Sequence, residues 1–137
     1  MAGSKHARNR GAAVIIQEGQ VAVIKRNRDG KEYYLFPGGG IEEGESPEQA
    51  TIREAFEELG VHIVIIRHLE TVEFYGKQHY FLAHIVGGTF GTGQGEEYDG
   101  RHNRGLYEPM WISIANLEAL DVRPMEIVKK CMEQMET

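Results

Sequence analysis

Four glycines crowd into nine residues at positions 38–46, and a helix starts directly behind them. Gly38, Gly39, Gly40 and Gly44 deny that stretch regular structure and let its backbone approach another group closely. Ser46 is an N-cap, Pro47 suits the first helical position, and Gln49 completes a capping box. Gly60 supplies the stop. The chain must therefore pass from a glycine loop into a well-bounded helix, and the rest of the fold has to accommodate that pair.

On a wheel of ~100° per residue, Glu57 and Glu58 flank Glu54 on one helical face. Ile52, Ala55, Phe56 and Leu59 fall on the other, which is the face expected to bury. Three carboxylates at i, i+3 and i+4 repel one another by a few tenths of a kcal/mol per pair. Arg53 can brace Glu57 but does not neutralise three acids. Neutralising Glu58 should then cost the metal-free fold nothing. A hard divalent cation, Mg²⁺ or Mn²⁺, would offset the cluster, since such ions take carboxylate and phosphate oxygens. The glycine loop adds backbone amides and carbonyls that suit phosphate or metal. Loop, arginine and acids together describe metal-assisted attack on a phosphoanhydride.

The full pattern is Gly39, five residues, Glu45, seven residues, Arg53-Glu54, two residues, Glu57-Glu58, one residue, Gly60, then Val61. A shuffled copy of the chain would contain the seven fixed positions with a probability of roughly a few in 10⁵. The segment resembles the signature box of the Nudix hydrolases, which cleave nucleoside diphosphates linked to another moiety. The residues before it, Tyr34-Leu35-Phe36-Pro37-Gly38, resemble that family's approach to its box. The resemblance implies an α/β fold, an α/β/α sandwich with a mixed β-sheet. It implies that Glu57 and Glu58 bind the metal, with Glu54 as a further ligand or the base acting on water and the Gly38 carbonyl as an additional ligand. Arg53 would orient the glutamates and Glu45 would hold the loop. Gly39 and Gly40 would face substrate. Some members draw the base from outside the box, and Glu97, beside Glu96, is the candidate here. Arg26 ends a strand where relatives place a phosphate-binding cation, with Lys25 as the alternative. Relatives acting on ADP-ribose or NADH carry characteristic prolines downstream of the box, whereas no proline lies between Pro47 and Pro109.

Around the box, residues 12–17 and 21–26 read as a hairpin about Glu18-Gly19. Residues 33–36 and 61–66 read as short strands. Residues 69–75 and 79–86 should pair across Gly76-Lys77. Seven glycines among residues 87–105 mark a long loop. Residues 107–112 form a last strand, Ser113 caps a short helix, and Pro124 starts a final one with Ile127, Val128 and Cys131 on one face. Trp111 reads as a packing residue, and Tyr75 and Tyr80 as rings able to stack on a base.

At 137 residues the chain supports one domain, expected over residues 11–137 behind a flexible basic tail at residues 1–10. A net charge of −6 makes nucleic acid an unlikely default partner, with Lys5, Arg8 and Arg10 the only argument for one. The single cysteine excludes an intrachain disulfide. No run reaches the ~20 apolar residues of a membrane helix, and no secretory signal is legible, so a cytoplasmic location is expected. A homodimer is left open. The expected activity is divalent-metal-dependent hydrolysis of a phosphoanhydride in a nucleoside di- or triphosphate or nucleoside diphosphate derivative. The alternatives are an RNA 5′-end pyrophosphohydrolase and a non-catalytic nucleotide sensor of the same fold.

Overall fold

The computed structural model describes residues 8–93 and 106–135. Its centre is β1 (Arg10–Gln17), whose run Ala12–Ile15 is buried on both faces, as a strand in mid-sheet must be. Glu18 and Gly19 take positive φ values of 51° and 78° and turn the chain into β2 (Gln20–Arg28). β1 pairs with β2 only near that turn, at Ile16 and Gln17. The rest of β1 is left to other partners.

β3 (Lys31–Leu35) continues the sheet antiparallel to β2. Next come β4 (Gly38–Gly40), α1 (Pro47–Leu59), β5 (Val61–Glu73) and β6 (Lys77–Gly88). β6 runs back parallel to β1, pairing Arg10 with Gln78 through Ile15 with Ala83. After the loop, β7 (Leu106–Ser113) joins β2, a 3₁₀ turn covers Ile114–Ala119, and β8 (Val122–Arg123) leads to α2 (Met125–Met135). The strand path is β5-β6-β1-β2-β3-β8, with β4 on β1 and β7 on β2. Parallel and antiparallel pairs coexist, so the sheet is mixed.

Alternation along the central strands divides the core in two. Val14, Val21 and Val23 meet Leu117 and Ile127, Val128 and Cys131 of α2. Ala13, Ile15, Ala22 and Ile24 meet Ala55 and Leu59 of α1 on the opposite face. This is the expected α/β/α sandwich.

Four local expectations change. The glycines 38–40 form a short strand, because β1 offers them the backbone groups that β2 leaves unpaired between Arg10 and Ala12. Residues 61–66 and 69–73 are parts of one strand, β5, whose register shifts at 62/63, 65/67 and 68/70 break its alternation, and residues 74 and 75 belong to the turn that follows. Residues 8–10 are not a flexible tail: Arg10 opens β1, and the Ile41 amide donates to the Asn9 carbonyl at 3.0 Å. Finally, α1 is rotated from its expected seating. Ala50, Thr51, Ala55, Glu58 and Leu59 are buried, while Ile52 and Phe56 are 37% and 48% exposed. The small residues let the helix lie close on β1, where a side chain at Gly11 would strike Thr51 Oγ1 and the Pro47 carbonyl. That rotation draws Glu58 inward.

Candidate active site

α1 starts and stops as its sequence dictates. Ser46 Oγ accepts from the Gln49 amide at 3.0 Å, Gln49 Oε1 accepts from the Ser46 amide at 2.9 Å, and Gly60 ends the helix at φ 80°. The helix thus presents residues 53–58 to β4 at a fixed angle.

Arg53 is the hub of that contact. Its Nε and Nη2 grip Glu45 in a two-pronged pair at 2.8 and 3.0 Å, and Nη2 also donates to the Gly40 carbonyl at 2.9 Å. Its Nη1 donates to Glu54 at 3.0 Å and to Glu57 at 3.3 Å. One guanidinium therefore binds the loop, the glycine strand and two of the three clustered acids. The resemblance implies that Arg53 orients the glutamates and that Glu45 holds the loop; the direct Arg53 bonds to Glu45 and Gly40 depend on the loop folding back and are not legible from spacing. The Arg53 guanidinium holds the Glu45 carboxyl down at about 2, helped by the Glu42 amide. Glu45 in turn raises the pKa of Arg53.

Glu58 has a different environment from its neighbours. It is 5% exposed, and its Oε1 accepts from the buried Gly38 amide at 2.9 Å. The Gly38 carbonyl accepts from Arg10 Nη2 at 3.2 Å. Arg10 was missed as part of the site because it was read as tail. Its place two residues ahead of the apolar run, on the first rung of the β1–β4 ladder, is the signal that could have found it. Gly39 faces Glu54: a Cβ there would fall on the Glu54 carboxylate.

Other candidates lie farther off or outside the described residues. Arg26 is neither a solvated strand end nor fully open to ligand. It is 8% exposed, alternates with Ile24 on the α1 side of β2, and its guanidinium stacks 4.0 Å from the Tyr107 ring centroid. Lys25 points to the other face and pairs with Glu32 at 3.3 Å. Trp111 packs against Phe90, with ring centroids 4.9 Å apart. Glu96 and Glu97 lie outside the described residues.

A family model for the NUDIX domain matches residues 5–128. The chain belongs to the Nudix family. An RNA pyrophosphohydrolase of Actinobacillus succinogenes is 46% identical over 61 residues, covering 44% of this chain and 30% of that protein. The chain thus aligns with about a third of the length of that relative. Among solved structures, a NUDIX hydrolase from Nitrosomonas europaea superposes with a TM-score of 0.73 at 22% identity, over 94% of this chain and 88% of the other. An ADP-ribose pyrophosphatase from Streptococcus suis gives 0.70 at 18%, over 96% and 93%. At such identities the structures speak for the fold.

Nudix hydrolases generally need a divalent metal. The groups that could hold such an ion are hard oxygens, the carboxylates of Glu54, Glu57 and Glu58 and the Gly38 carbonyl, and the missing side chain at Gly39 keeps space clear beside Glu54. That chemistry suits Mg²⁺ or Mn²⁺. Among the described residues no three acidic or imidazole side chains are already gathered into a cage. Arg53 and the Gly38 amide hold the carboxylates instead. No described helix is long and apolar enough to cross a membrane.

Proposed function

We propose that this chain is a divalent-metal-dependent pyrophosphohydrolase that cuts a phosphoanhydride in a nucleoside di- or triphosphate or nucleoside diphosphate derivative. The observation that carries this reading is the Arg53 hub, which fastens Glu54 and Glu57 to the Gly40 backbone and Glu45 in one rigid unit. A purely structural surface helix has no need to hold acidic side chains against a glycine strand. Glu54, Glu57, Glu58 and the Gly38 carbonyl would hold the ion, which supplies positive charge against the charge developing on the phosphates. Gly39 and Gly40 let a phosphate approach the backbone, and Arg26 contributes a cation on the same side of the sheet as α1. Arg53 orients Glu54, and Glu45 orients Arg53. The base that takes the proton from the attacking water is Glu54, or Glu97 from the loop.

The test is a nucleotide panel with Mg²⁺, with the products identified. Hydrolysis within a phosphoanhydride, abolished by chelator and restored by Mg²⁺ or Mn²⁺, is expected. Full activity in chelator would remove the basis of the mechanism. RNA 5′-end pyrophosphohydrolysis is the second reading, favoured by the likeness to RNA pyrophosphohydrolases and by the place of Arg8 and Arg10 beside β4.

A further inference from the structure

The turn between β5 and β6 carries two aromatic side chains on the outside of the molecule. Phe74 is 65% exposed and Tyr75 71%, and their rings pack edge to face with centroids 4.9 Å apart. Tyr75 sits at φ 52°, in the left-handed region that bulky residues avoid. Two exposed rings, one on a backbone better suited to glycine or asparagine, are not explained by packing; sparsely populated backbone states gather at functional sites.

The turn is also firmly anchored. The Arg8 amide donates to the Tyr75 carbonyl at 2.6 Å, and the Lys77 amide donates to Asn9 Oδ1 at 2.9 Å. Gln78 Nε2 donates to both the Arg8 and the Phe74 carbonyls, at 3.2 and 3.1 Å. The Arg8 guanidinium reaches from there to Gly40, lying where a Cβ of Gly40 would be. Gly40 in turn is bonded to Arg53, and Arg53 to Glu54. A continuous strip therefore runs from the aromatic pair over a cation to the box carboxylates, with Arg10 and Lys77 beside it.

We propose that Phe74 and Tyr75 are a stacking platform for an unpaired nucleobase of a single-stranded RNA 5′ end, and that Arg8 contacts the phosphodiester between that base and the reacting phosphates. This rests on the phosphoanhydride-hydrolase reading of the site. As the occupant of this platform, an RNA end, the second reading above, is favoured over a free nucleotide by the layout. The platform is separated from Glu54 by the width of β4 and the length of the Arg8 side chain, so a base stacked there belongs to a nucleotide beyond the reacting one. A cation followed by aromatic faces is the pattern that holds single strands without reading their sequence. The net acidity of the chain is offset locally by Arg8, Arg10 and Lys77 along the strip.

The experiment measures equilibrium binding, in Mg²⁺, of a 5′-monophosphorylated hexaribonucleotide and of a nucleoside monophosphate. Neither has an anhydride to cut, so binding is read apart from turnover. The double variant Phe74→Ser, Tyr75→Asn should bind the hexamer ~10-fold more weakly and the mononucleotide as wild type does. Its melting temperature should not fall, since both side chains are exposed. Arg8→Ala should weaken hexamer binding and lower the slope of log K against log salt by ~0.7. Equal weakening for both ligands would assign the platform to the reacting nucleotide and overturn the proposal. So would a wild type that binds the hexamer no better than the mononucleotide, or a double variant that binds it unchanged. The separate nucleotide panel decides the hydrolase reading: a chain that binds the hexamer through the platform but cuts no anhydride keeps the platform and loses the enzyme.

Discussion

Replacing Glu58 by alanine removes the carboxylate that accepts from the Gly38 amide, inside a region where Glu58 is 5% exposed. The orphaned N–H costs ~1–3 kcal/mol, and the lost stem adds up to ~0.8 kcal/mol per buried methylene. The sum is roughly 2–4 kcal/mol. With ~2.1 cal/mol/K of unfolding entropy per residue, a chain of 137 residues loses about 3.5 °C per kcal/mol. Glu58→Ala should therefore melt ~7–14 °C below wild type. Glu58→Gln keeps an acceptor and loses only the charge, so a drop of about 2–4 °C is expected. Glu57→Gln, with a side chain 46% exposed and its carboxylate braced by Arg53, should stay within ~2 °C. The order contradicts simple charge relief, in which neutralising any of the three acids leaves the metal-free fold no weaker. The assay is thermal and urea unfolding of all three variants in chelator at fixed ionic strength. A Glu58→Ala protein that melts with wild type would refute the reasoning, and so would one matched by Glu57→Gln.

Three further outcomes are expected. Gly39→Ala places a methyl group on the Glu54 carboxylate and should lower kcat at least ~10²-fold while circular dichroism stays native. Arg53→Lys loses the two-pronged grip on Glu45, so the Glu45 carboxyl should titrate well above about 2, toward its ordinary value of 4.5. Because its folded value is depressed, the Glu45–Arg53 pair stabilises fully above 4.5 and weakens as pH falls toward about 2, which carboxyl ¹³C titration of both proteins reads directly. Burial pushes the Cys131 thiol up to about 12, so iodoacetamide at pH ~8 should leave native protein unlabelled and label it on unfolding. Rapid labelling of the folded chain would mean that α2 opens locally.

The elements whose signals are local were legible in the residues. The capping box at Ser46 and Gln49, the stop at Gly60 and the turn at Glu18-Gly19 act within a few residues of themselves, and the structure has all of them. The strand at Gly38–Gly40 was not, because glycine carries no strand propensity and the reason for it lies in β1, some 26 residues earlier in the ladder that joins Ala12 to Gly38. The acids were found and their environments were not. A helical wheel shows which side chains share a face, but the seating of that face on the sheet depends on Gly11 and Thr51, and this sends Glu58 inside and Phe56 out. Ser113 and the following residues gave a 3₁₀ turn without the expected side-chain cap.

The parallel pairing of β1 with β6 also bears on how the chain comes to be folded during synthesis. Val14 and its neighbours emerge first, yet Leu82, their partner across the ladder, follows 68 residues later. At ~5–20 residues per second, the apolar run of β1 waits roughly 3–14 s for that edge to be covered. The hairpin with β2 protects only its far end in the meantime. A nascent chain stalled before residue 77 would expose the middle of its own sheet, and it is at this stage that a holding chaperone has most to bind.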